Sequence, residues 1–220
     1  MVRLGLPSRC VAKRPADCLV ARLYSYVVLR DYGFAPNPFH QYCTLATCKP
    51  NIRATAEPGD IVLGTATVEA QRFAAGKVVF AMEVSEAMTF DAYWNDERFR
   101  AKRAVLNGSR KFQYGDNIYH HCGDKWVQED SHHSHPGGVL NPDQLKRDTS
   151  RDRVLISEHF VYWGGSGPVL PKKHQAGGQH PVVHNGVGHH CRFAAHTVSE
   201  FRRWLDPYLG QGFRGMPFDW

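Results

Sequence analysis

The sequence predicts an α+β fold, in which short strands form a small bent β-barrel or a mixed sheet and the helices lie at the periphery. Two observations predict it. Runs rich in β-branched and aromatic residues, which are typical of strands, recur at 23–29, 61–65, 77–84, 153–156 and 159–163. Long helical patterns occur at 88–104 and 199–209, and they do not alternate with the strands as they would in a parallel doubly wound sheet.

Each element in the first half of the chain has a local reason. The strand at 23–29 (LYSYVVL) ends in a loop over 30–40, where two prolines and a glycine prevent regular structure. A short helix is expected within 44–56, with Pro50 in its first turn and Arg53 projecting outward. A Glu-Pro-Gly-Asp turn then precedes the strand at 61–65, and Gly76 closes the turn before the strand at 77–84.

The second half combines one well-marked helix with long irregular stretches. The helix at 88–104 is expected to start from Thr89 as its N-cap and to bury Phe90, Tyr93 and Phe99. Later segments are expected as irregular chain at 115–136 with extended pieces at 117–121 and 126–128, a turn or short helix at 141–147, a Gly- and His-rich loop at 174–190, a short strand at 190–194 and an amphipathic closing helix at 199–209.

Length and composition suit one domain with a short appendage. The chain has 220 residues, of which 42% are hydrophobic and 12% aromatic, enough to build a core. Residues 1–20 are basic and without periodicity, so we expect a basic flexible arm followed by a single α+β domain over 21–220. A formal net charge of +6 and a pI near 9.1 favour a polyanionic partner, most simply nucleic acid.

The chain has no run of about 18 apolar residues, so no contact with a membrane is expected. Its first residues lack the apolar segment of a signal peptide, and we therefore expect a cytoplasmic location. The motifs of several enzyme classes are also absent. No GxGxxG follows a strand, and there is no GxxxxGK[ST], HExxH or GxSxG, so dehydrogenases, P-loop NTPases, simple zinc proteases and α/β-hydrolases lose their usual support.

Histidines mark a candidate site. Twelve of the thirteen lie between His120 and His196, and two segments, 114–121 and 128–135, also carry carboxylates, amides and hydroxyls. Side chains two apart on an extended segment share a face, so Asp130 can pair with His132. A carboxylate that orients an imidazole is the minimum for acid–base catalysis. His120 or His132, with Asp130 as the orienting group, are therefore catalytic candidates. A base-reading pocket and a purely structural network are the alternatives.

The cysteines indicate neither a zinc site nor a disulfide framework. Cys43 and Cys48 are separated by four residues, and no second close pair follows. We expect no cofactor and assign no metal ligands, although the clustered histidines leave a metal as an alternative. Cys48 stands beside Lys49 and near Arg53, and neighbouring cations favour a thiolate. With a histidine nearby it is a conceivable nucleophile, while a buried cysteine acting as a small hydrophobe is the commoner case.

Several long segments together resemble a known family. They are LYSYVVLRDYGFAPNPF (23–39), CTLATCKPNIRATAEPGDIVLGT (43–65), VVFAMEVSEAMTFDAYWNDERF (78–99), YGDNIYHH (114–121) and WVQEDSHHSH (126–135). They resemble the bacterial and phage proteins called nucleotide modification-associated domain, type two, over roughly residues 22–163. The resemblance implies a role beside DNA-base modification systems, with DNA or a nucleotide as partner and other DNA-modification proteins as further candidates. It implies a pathway more than a reaction.

A second resemblance concerns the fold. The Pro58-Gly59-Asp60 turn before an apolar strand, followed by VVFAMEV, resembles the PUA-like group that includes EVE and ASCH domains. Those domains are small bent barrels that hold a nucleobase, often a modified one, in a pocket. The resemblance therefore implies a PUA-like pocket for a base.

These observations predict a nucleotide- or nucleobase-binding protein associated with DNA base modification. Its pocket is expected to combine the loop at 31–38 with the two polar segments. The expected ligand-binding residues are Asp31, Tyr32, Phe34, Asn37, Lys49, Arg53, Asp116, Asn117, Tyr119, Trp126, Glu129, Ser131 and His133. Tyr32 or Tyr119 would stack on the base, Asp116, Asn117 and Asp130 would read its polar edges, and Lys49 and Arg53 would meet phosphate. An enzyme that alters or removes a modified base, and a scaffold for partner proteins, are the rival hypotheses.

Overall fold

A computed structural model describes residues 21–66 and 77–220. Within these ranges three β-sheets form the centre, and the helices lie around them. The arrangement confirms the predicted α+β class with a mixed sheet and peripheral helices. The expected basic arm at 1–20 lies outside the described residues.

The element bounds follow the chain order. The strands of the described chain are β1 (Leu23–Val28), β2 (Cys43–Leu45), β3 (Ile61–Ala66), β4 (Val78–Glu83), β5 (Glu86–Met88), β6 (Tyr119–Cys122), β7 (Lys125–Gln128), β8 (Val154–Ser157), β9 (His159–Tyr162), β10 (His189–His190) and β11 (Gly212–Phe213). Its α-helices are α1 (Pro50–Thr55), α2 (Phe90–Asn95), α3 (Arg110–Gln113), α4 (Pro142–Thr149) and α5 (Ala195–Leu205). Short 3₁₀ segments cover Glu97–Lys102, Pro136–Gly138, Gly164–Ser166 and Lys172–His174.

The largest sheet is mixed and open. Its strand order is β10-β1-β3-β4-β9-β11, with β1 parallel to β3, β9 parallel to β11, and the other neighbours antiparallel. Among the described strands the two outer ones do not pair with each other, so the sheet does not close into a barrel. The second sheet has the order β2-β8-β5 and is antiparallel, and β6 with β7 forms a two-stranded hairpin.

Alternation along the strands explains how these sheets stack. In β1, Leu23 belongs to a core shared with α5, whereas Tyr24, Tyr26 and Val28 belong to a core shared with the second sheet. This is the period of two that an extended chain imposes. The second sheet repeats the pattern, because Leu155 packs toward β1 while its neighbours Val154 and Ile156 pack toward α2 and β6. The order of layers is therefore α5, the large sheet, the second sheet, and then α2 with the β6–β7 hairpin.

The long helix expected at 88–104 is broken in the structure. Thr89 caps α2 as predicted, since its side chain accepts a hydrogen bond from the backbone N–H of Ala92 at 3.2 Å. The helix ends at Asn95 because Asp96 takes an extended conformation, and the Asp96 side chain then caps a separate 3₁₀ segment. The capping side chain of Asp96, in the middle of the helical pattern, thus outweighs the apolar spacing that suggested one continuous helix.

Strands β2 and β5 were not predicted from the sequence. Each has three residues, which is too short for a period of two to be recognised. Their partner β8 was expected at 153–156 and lies at Val154–Ser157. The short strand expected at 190–194 is reduced to the two residues of β10.

The helices are short. The closing helix was expected at 199–209 and lies four residues earlier, at Ala195–Leu205, with Phe201 and Leu205 fully buried as predicted. In the described part of the chain, no helix has the length and apolar character needed to span a membrane.

We expect α5 to stabilise the large sheet mainly through Phe201. This ring is 0% exposed in the core with Leu63 and Val161, so Phe201→Ala should lower the free energy of unfolding by about 3–5 kcal/mol. Phe112→Ala is the matched control. Because Phe112 is 38% exposed, this change should lower the free energy of unfolding by less than about 1 kcal/mol. Urea unfolding of both variants checks this, and equal losses would contradict the layer assignment.

Candidate functional site

A cavity of about 470 Å³ lies between the end of β1 and the start of α1. Its volume is in the range of pockets that hold small molecules. The walls come from β1 and the loop after it, the turn before α1, residues 132–133, one residue of α4 and the start of β10. The lining residues are Tyr26, Val27, Val28, Leu29, Arg30, Tyr32, Phe34, Ala35, Cys48, Lys49, Pro50, Asn51, Ile52, His132, His133, Arg147, Gly188 and His189.

The turn between β2 and α1 has an unusual backbone. Cys48 and Lys49 both take the left-handed conformation, with φ of 55° and 41°, and Pro50 then starts the helix. Residues other than glycine pay a cost of order 1 kcal/mol each for this conformation. Such strain persists only where surrounding contacts fix it, so the contacts of this turn are informative.

Arg53 supplies one of these contacts. Its side chain is fully buried, and its guanidinium donates to the backbone carbonyls of Cys48 at 3.0 Å, Arg151 at 2.9 Å, Arg153 at 2.6 Å and Asp148. Burial lowers the pKa of Arg53 to about 10, and the nearby Asp148 opposes this. The guanidinium therefore joins the strained turn to the end of α4. The expectation that Arg53 projects outward is wrong, because the side chain is used to satisfy carbonyl groups inside the protein.

Asp148 makes the second connection. Its carboxylate is fully buried at the end of α4, where Oδ1 accepts from the backbone N–H of Cys48 at 2.9 Å. Oδ2 accepts from the Tyr119 hydroxyl at 3.0 Å and from Nδ1 of His133 at 2.8 Å. Burial favours the neutral acid, but the hydrogen bonds and the charge of His133 outweigh it and hold the pKa of Asp148 below its usual value.

His133 lies between Asp148 and Cys48. Its Nε2 is 3.9 Å from the Cys48 Sγ, while its Nδ1 faces the Asp148 carboxylate. Burial alone would lower the pKa of His133, but the hydrogen bonds to Asp148 and Cys48 raise it to about 9. The imidazole is therefore protonated at neutral pH. The Cys48 thiol and the His133 imidazolium line the cavity, and the Asp148 carboxylate is buried behind the imidazolium.

An aromatic wall borders the cavity on the side of the 31–38 loop. Tyr32 stacks on Tyr114 with ring centroids 5.1 Å apart and planes 10° apart, and Trp220 continues the stack at 6.4 Å from Tyr114. His132 lies against Tyr32 at 5.0 Å and against Phe34 at 5.2 Å. Burial and the charge of His133 lower the pKa of His132, so this ring is neutral at neutral pH.

Two lining residues carry buried polar atoms that have no hydrogen-bond partner among the described residues. They are the Tyr26 hydroxyl and Nε2 of His189, on side chains that are 1% and 9% exposed. Unpaired polar groups are costly to bury, so a ligand that reaches them after a small shift of the cavity wall is favoured. Burial, helped by His184 and Lys49, lowers the pKa of His189 to about 4, so its ring is neutral.

Three cations border the same cavity. The Lys49 ammonium lies 4.3 Å from the centre of the Tyr26 ring, and burial lowers its pKa. Arg147 is exposed, with Nη2 4.0 Å from the Cys48 Sγ. Arg30 is 74% exposed and 3.5 Å from Asp219, which leaves most of its guanidinium open to solvent.

The family of the chain follows from its match to a family model. The model described as nucleotide modification associated domain 2 matches residues 20–220. The chain belongs to this family. No curated protein and no solved structure matches it. The predicted resemblance is confirmed over nearly the whole chain, and the protein is associated with nucleotide modification.

Five of the residues proposed from the sequence meet at the cavity of this family member. They are Tyr32, Phe34, Lys49, His132 and His133. Ser131 is next to them in the chain and is buried in the loop, where its Oγ accepts from the backbone N–H of His133 at 3.4 Å. The 31–38 loop and the 128–135 segment therefore meet at the cavity, whereas the 114–121 segment, which was also expected there, contributes none of its lining residues.

Four other expected binding residues lie in the protein interior with internal partners. Asp31 accepts from the Tyr162 hydroxyl at 2.5 Å, and burial raises its pKa to about 6. Asn37 accepts from the buried ammonium of Lys102 at 2.7 Å. Asp116 accepts from Thr44 at 2.7 Å and Tyr93 at 2.8 Å, and Asn117 donates to the Tyr93 carbonyl at 3.0 Å. These amides and carboxylates tie loops to the core, and none of them lines the cavity.

The remaining expected residues lie in or beside the β6–β7 hairpin. His120 pairs with Glu129 at 2.8 Å and stacks on Trp94, and Trp126 packs on His121 at 3.8 Å between ring centres. Asp130 accepts from the Ser134 hydroxyl at 2.8 Å rather than facing His132. Tyr119 is buried, with its hydroxyl on Asp148.

Several residues in or behind the cavity wall were missed or underrated in the sequence. Asp148 and Arg147 lie in a helix with no local motif, and Asp148 is 100 residues from its partner Cys48. Tyr26 lies in β1, where the sequence suggested a core residue. His189 lies in β10, where the sequence suggested a loop. The one local signal was Cys48 beside Lys49, which the sequence interpretation kept as a conceivable nucleophile. Among the described residues no group of three or more His, Cys, Asp or Glu is placed to hold a metal ion.

We expect His133 to make stability depend on pH in a defined direction. Its folded-state pKa is above the ordinary value, so the bound proton stabilises the fold below about pH 6.5. This contribution is lost as the pH rises through about 9. The free energy of unfolding of wild type should therefore fall by on the order of 2 kcal/mol more than that of His133→Gln between about pH 6 and about pH 9.5.

Urea unfolding at both pH values measures this difference. The matched control is His159→Gln, because His159 is an exposed histidine outside the cavity and should leave the wild-type pH dependence intact. An identical pH dependence in wild type and His133→Gln would show that the ion pair with Asp148 does not stabilise the fold.

Proposed function

We propose that the cavity binds a nucleotide or a nucleobase of DNA, and that the base it accepts carries a modification. The observation that carries this proposal is one cavity that combines an aromatic wall, three bordering cations and two unpaired buried polar atoms. Membership of a family associated with nucleotide modification supports the choice of ligand class.

The aromatic wall suits the flat face of a base. Tyr32 is half-buried, and its stacking on Tyr114 holds the ring in one orientation. A preorganised ring loses little conformational entropy when a base stacks on it, and such stacking contributes about 1–3 kcal/mol per base. We therefore assign base stacking to Tyr32. Tyr119, the other residue considered for stacking, has its ring in the core formed with Phe90.

The cations suit a phosphate or a DNA backbone. Lys49, Arg147 and Arg30 border the cavity, and the chain as a whole carries a formal charge of +6. Phosphate contacts position a nucleic acid without reading its sequence, and they make binding sensitive to salt. We assign phosphate contact to Lys49, as expected from the sequence. Arg147 and Arg30 take the phosphate-binding role that was expected of Arg53, which is buried.

The unpaired atoms suit the edge of a base. The Tyr26 hydroxyl can donate or accept a hydrogen bond, and a neutral His189 ring offers a donor on one nitrogen and an acceptor on the other. A base that pairs with both atoms removes the cost of leaving them unpaired. We assign edge recognition to these two residues, because Asp116 and Asn117 are turned to internal partners.

The acid–base enzyme suggested by the sequence has less geometric support in its original form. His120 pairs with Glu129 away from the cavity lining, and Asp130 bonds Ser134 instead of orienting His132. A different set of groups, Cys48 with His133 and Asp148, supports chemistry in the cavity. A cytoplasmic location and association with other DNA-modification proteins stay as predictions.

Binding of short single-stranded DNA tests the proposal. The probes are oligonucleotides with ordinary bases and the same sequences with one cytosine acetylated on its exocyclic amine, followed by fluorescence anisotropy. We expect salt-sensitive binding that Tyr32→Ala weakens by about 1–3 kcal/mol through lost stacking. Lys49→Ala should reduce the salt slope by about one.

Lys125→Ala is the matched control for charge, since Lys125 is exposed in β7 and outside the cavity. It should leave affinity at the wild-type level. Failure of wild type to bind any oligonucleotide or free nucleotide in a salt-sensitive way would contradict the proposal, and would favour a scaffold that contacts only proteins.

A further inference from the structure

Two side chains that line the cavity and a third that is buried behind them have the order of a nucleophile, an acid–base group and an orienting group. The Cys48 Sγ is 3.9 Å from Nε2 of His133, and Nδ1 of the same ring is 2.8 Å from Oδ2 of Asp148. They come from the turn before α1, the loop after β7 and the end of α4. Cys48 and Asp148 contact opposite nitrogens of the His133 ring. This is the arrangement required for a general base that one residue orients toward a nucleophile.

We propose that Cys48 is a nucleophile that cleaves an amide bond carried by a nucleobase, with His133 as acid–base group and Asp148 as positioning residue. The choice of substrate class rests on the proposed function above. The assignment of the nucleophile does not, because it depends only on the geometry of the three side chains and the cavity.

The position of the Cys48 thiol suits reaction rather than packing. Cys43 is an example of a cysteine that packs in the core, since its side chain is fully buried and burial raises the pKa of its thiol. Cys48 is half-buried and lines the cavity beside an imidazole. Its left-handed backbone is held by Arg53 on its carbonyl and Asp148 on its N–H.

The groups around His133 keep its ring protonated beside the Cys48 sulfur. The groups near the ring are the Asp148 carboxylate, the Cys48 thiol, the neutral His132 ring and the Tyr119 hydroxyl, with the Arg147 guanidinium close to the sulfur. Although burial opposes it, the hydrogen bonds to Asp148 and Cys48 raise the pKa of His133 to about 9. A cation beside a thiol favours the thiolate, which is the reactive form.

The reaction balances with water as the only co-reactant. The Cys48 thiolate donates an electron pair to the carbonyl carbon of the amide, which forms a C–S bond and a tetrahedral intermediate. The C–N bond then breaks, and the amine of the base leaves with that electron pair and a proton from Nε2 of His133. Water attacks the thioester and gives a proton to His133, the C–S bond breaks, and the thiolate is restored. The products are a carboxylate and a base with a free amine.

The first test measures the thiol without any nucleotide. Iodoacetamide alkylation is followed by peptide mass spectrometry between about pH 5 and pH 9 in wild type, and Cys122, an exposed free cysteine, is the internal reference. We expect Cys48 to react faster than Cys122 at about pH 6, because the His133 ring lies 3.9 Å from its sulfur. In His133→Gln the Cys48 profile should become that of Cys122.

Asp148→Asn should move the Cys48 profile in the same direction while leaving the thiol in place. His159→Gln, an exposed histidine outside the cavity, should leave it unchanged. Circular dichroism of each variant establishes that it is folded. If a variant unfolds, the wild-type comparison of Cys48 with Cys122 still decides. Slower reaction of Cys48 than Cys122 at every pH, or an unchanged profile in a folded His133→Gln, would overturn the nucleophile.

The second test measures the acyl step. Wild type is incubated with p-nitrophenyl acetate and, separately, with the oligonucleotide whose cytosine is acetylated on its exocyclic amine. We expect release of p-nitrophenolate with acetylation of Cys48, and conversion of acetylcytosine to cytosine. Both should fall by at least about 100-fold in His133→Gln. Cys48→Ala should abolish both and retain oligonucleotide binding.

The outcomes separate the two proposals. Acetylation of Cys48 by the ester without oligonucleotide binding would keep the nucleophile and overturn the nucleobase as substrate. Oligonucleotide binding with an inert Cys48 would keep the proposed function and overturn the inference. Acetylation of Cys48 with bound but unchanged acetylcytosine would overturn the amide-bearing base as the substrate class.

Discussion

The buried carboxylate of Asp148 is the interaction on which the site depends. It is fully excluded from solvent, and a charge in that position is costly unless it is paired and hydrogen-bonded. Both oxygens are satisfied, by the Cys48 N–H, the Tyr119 hydroxyl and the His133 ring. These partners come from three separate parts of the chain, so one carboxylate determines where the thiol and the imidazole lie relative to each other.

The layered fold makes this arrangement stable. Arg53 holds the carbonyl of Cys48 and the carbonyl of Asp148 with one planar guanidinium, which ties the turn before α1 to the end of α4. The second sheet carries both connections, because β2 leads into that turn and α4 leads into β8. Alternation along β1 places Tyr26 and Val28 on the side of the large sheet that faces the second sheet, and both residues line the cavity.

Much of the fold could be predicted because its signals are local. The strands rich in β-branched residues, the Thr89 cap and the proline at the start of α1 all depend on near neighbours in sequence. The site could be predicted only in part. Tyr32, Phe34, Lys49 and His133 stood out as loop aromatics, a cation and a clustered histidine, but Asp148 and Arg53 owe their roles to contacts between residues about 100 positions apart. Polar residues such as Asp116 were expected to read a base in the pocket, and the structure buries them away from the cavity because hydroxyl partners from distant elements satisfy them.

The central claim is that Asp148 holds His133 as a cation beside Cys48. The most direct measurement is an NMR titration of the His133 ring nitrogens in wild type and in Asp148→Asn. Wild type should titrate near pH 9, and the variant should titrate well below that value, because the hydrogen bond and the charge of Asp148 no longer oppose the effect of burial. Equal titration midpoints in the two proteins, or a neutral His133 in wild type at pH 7, would contradict the account.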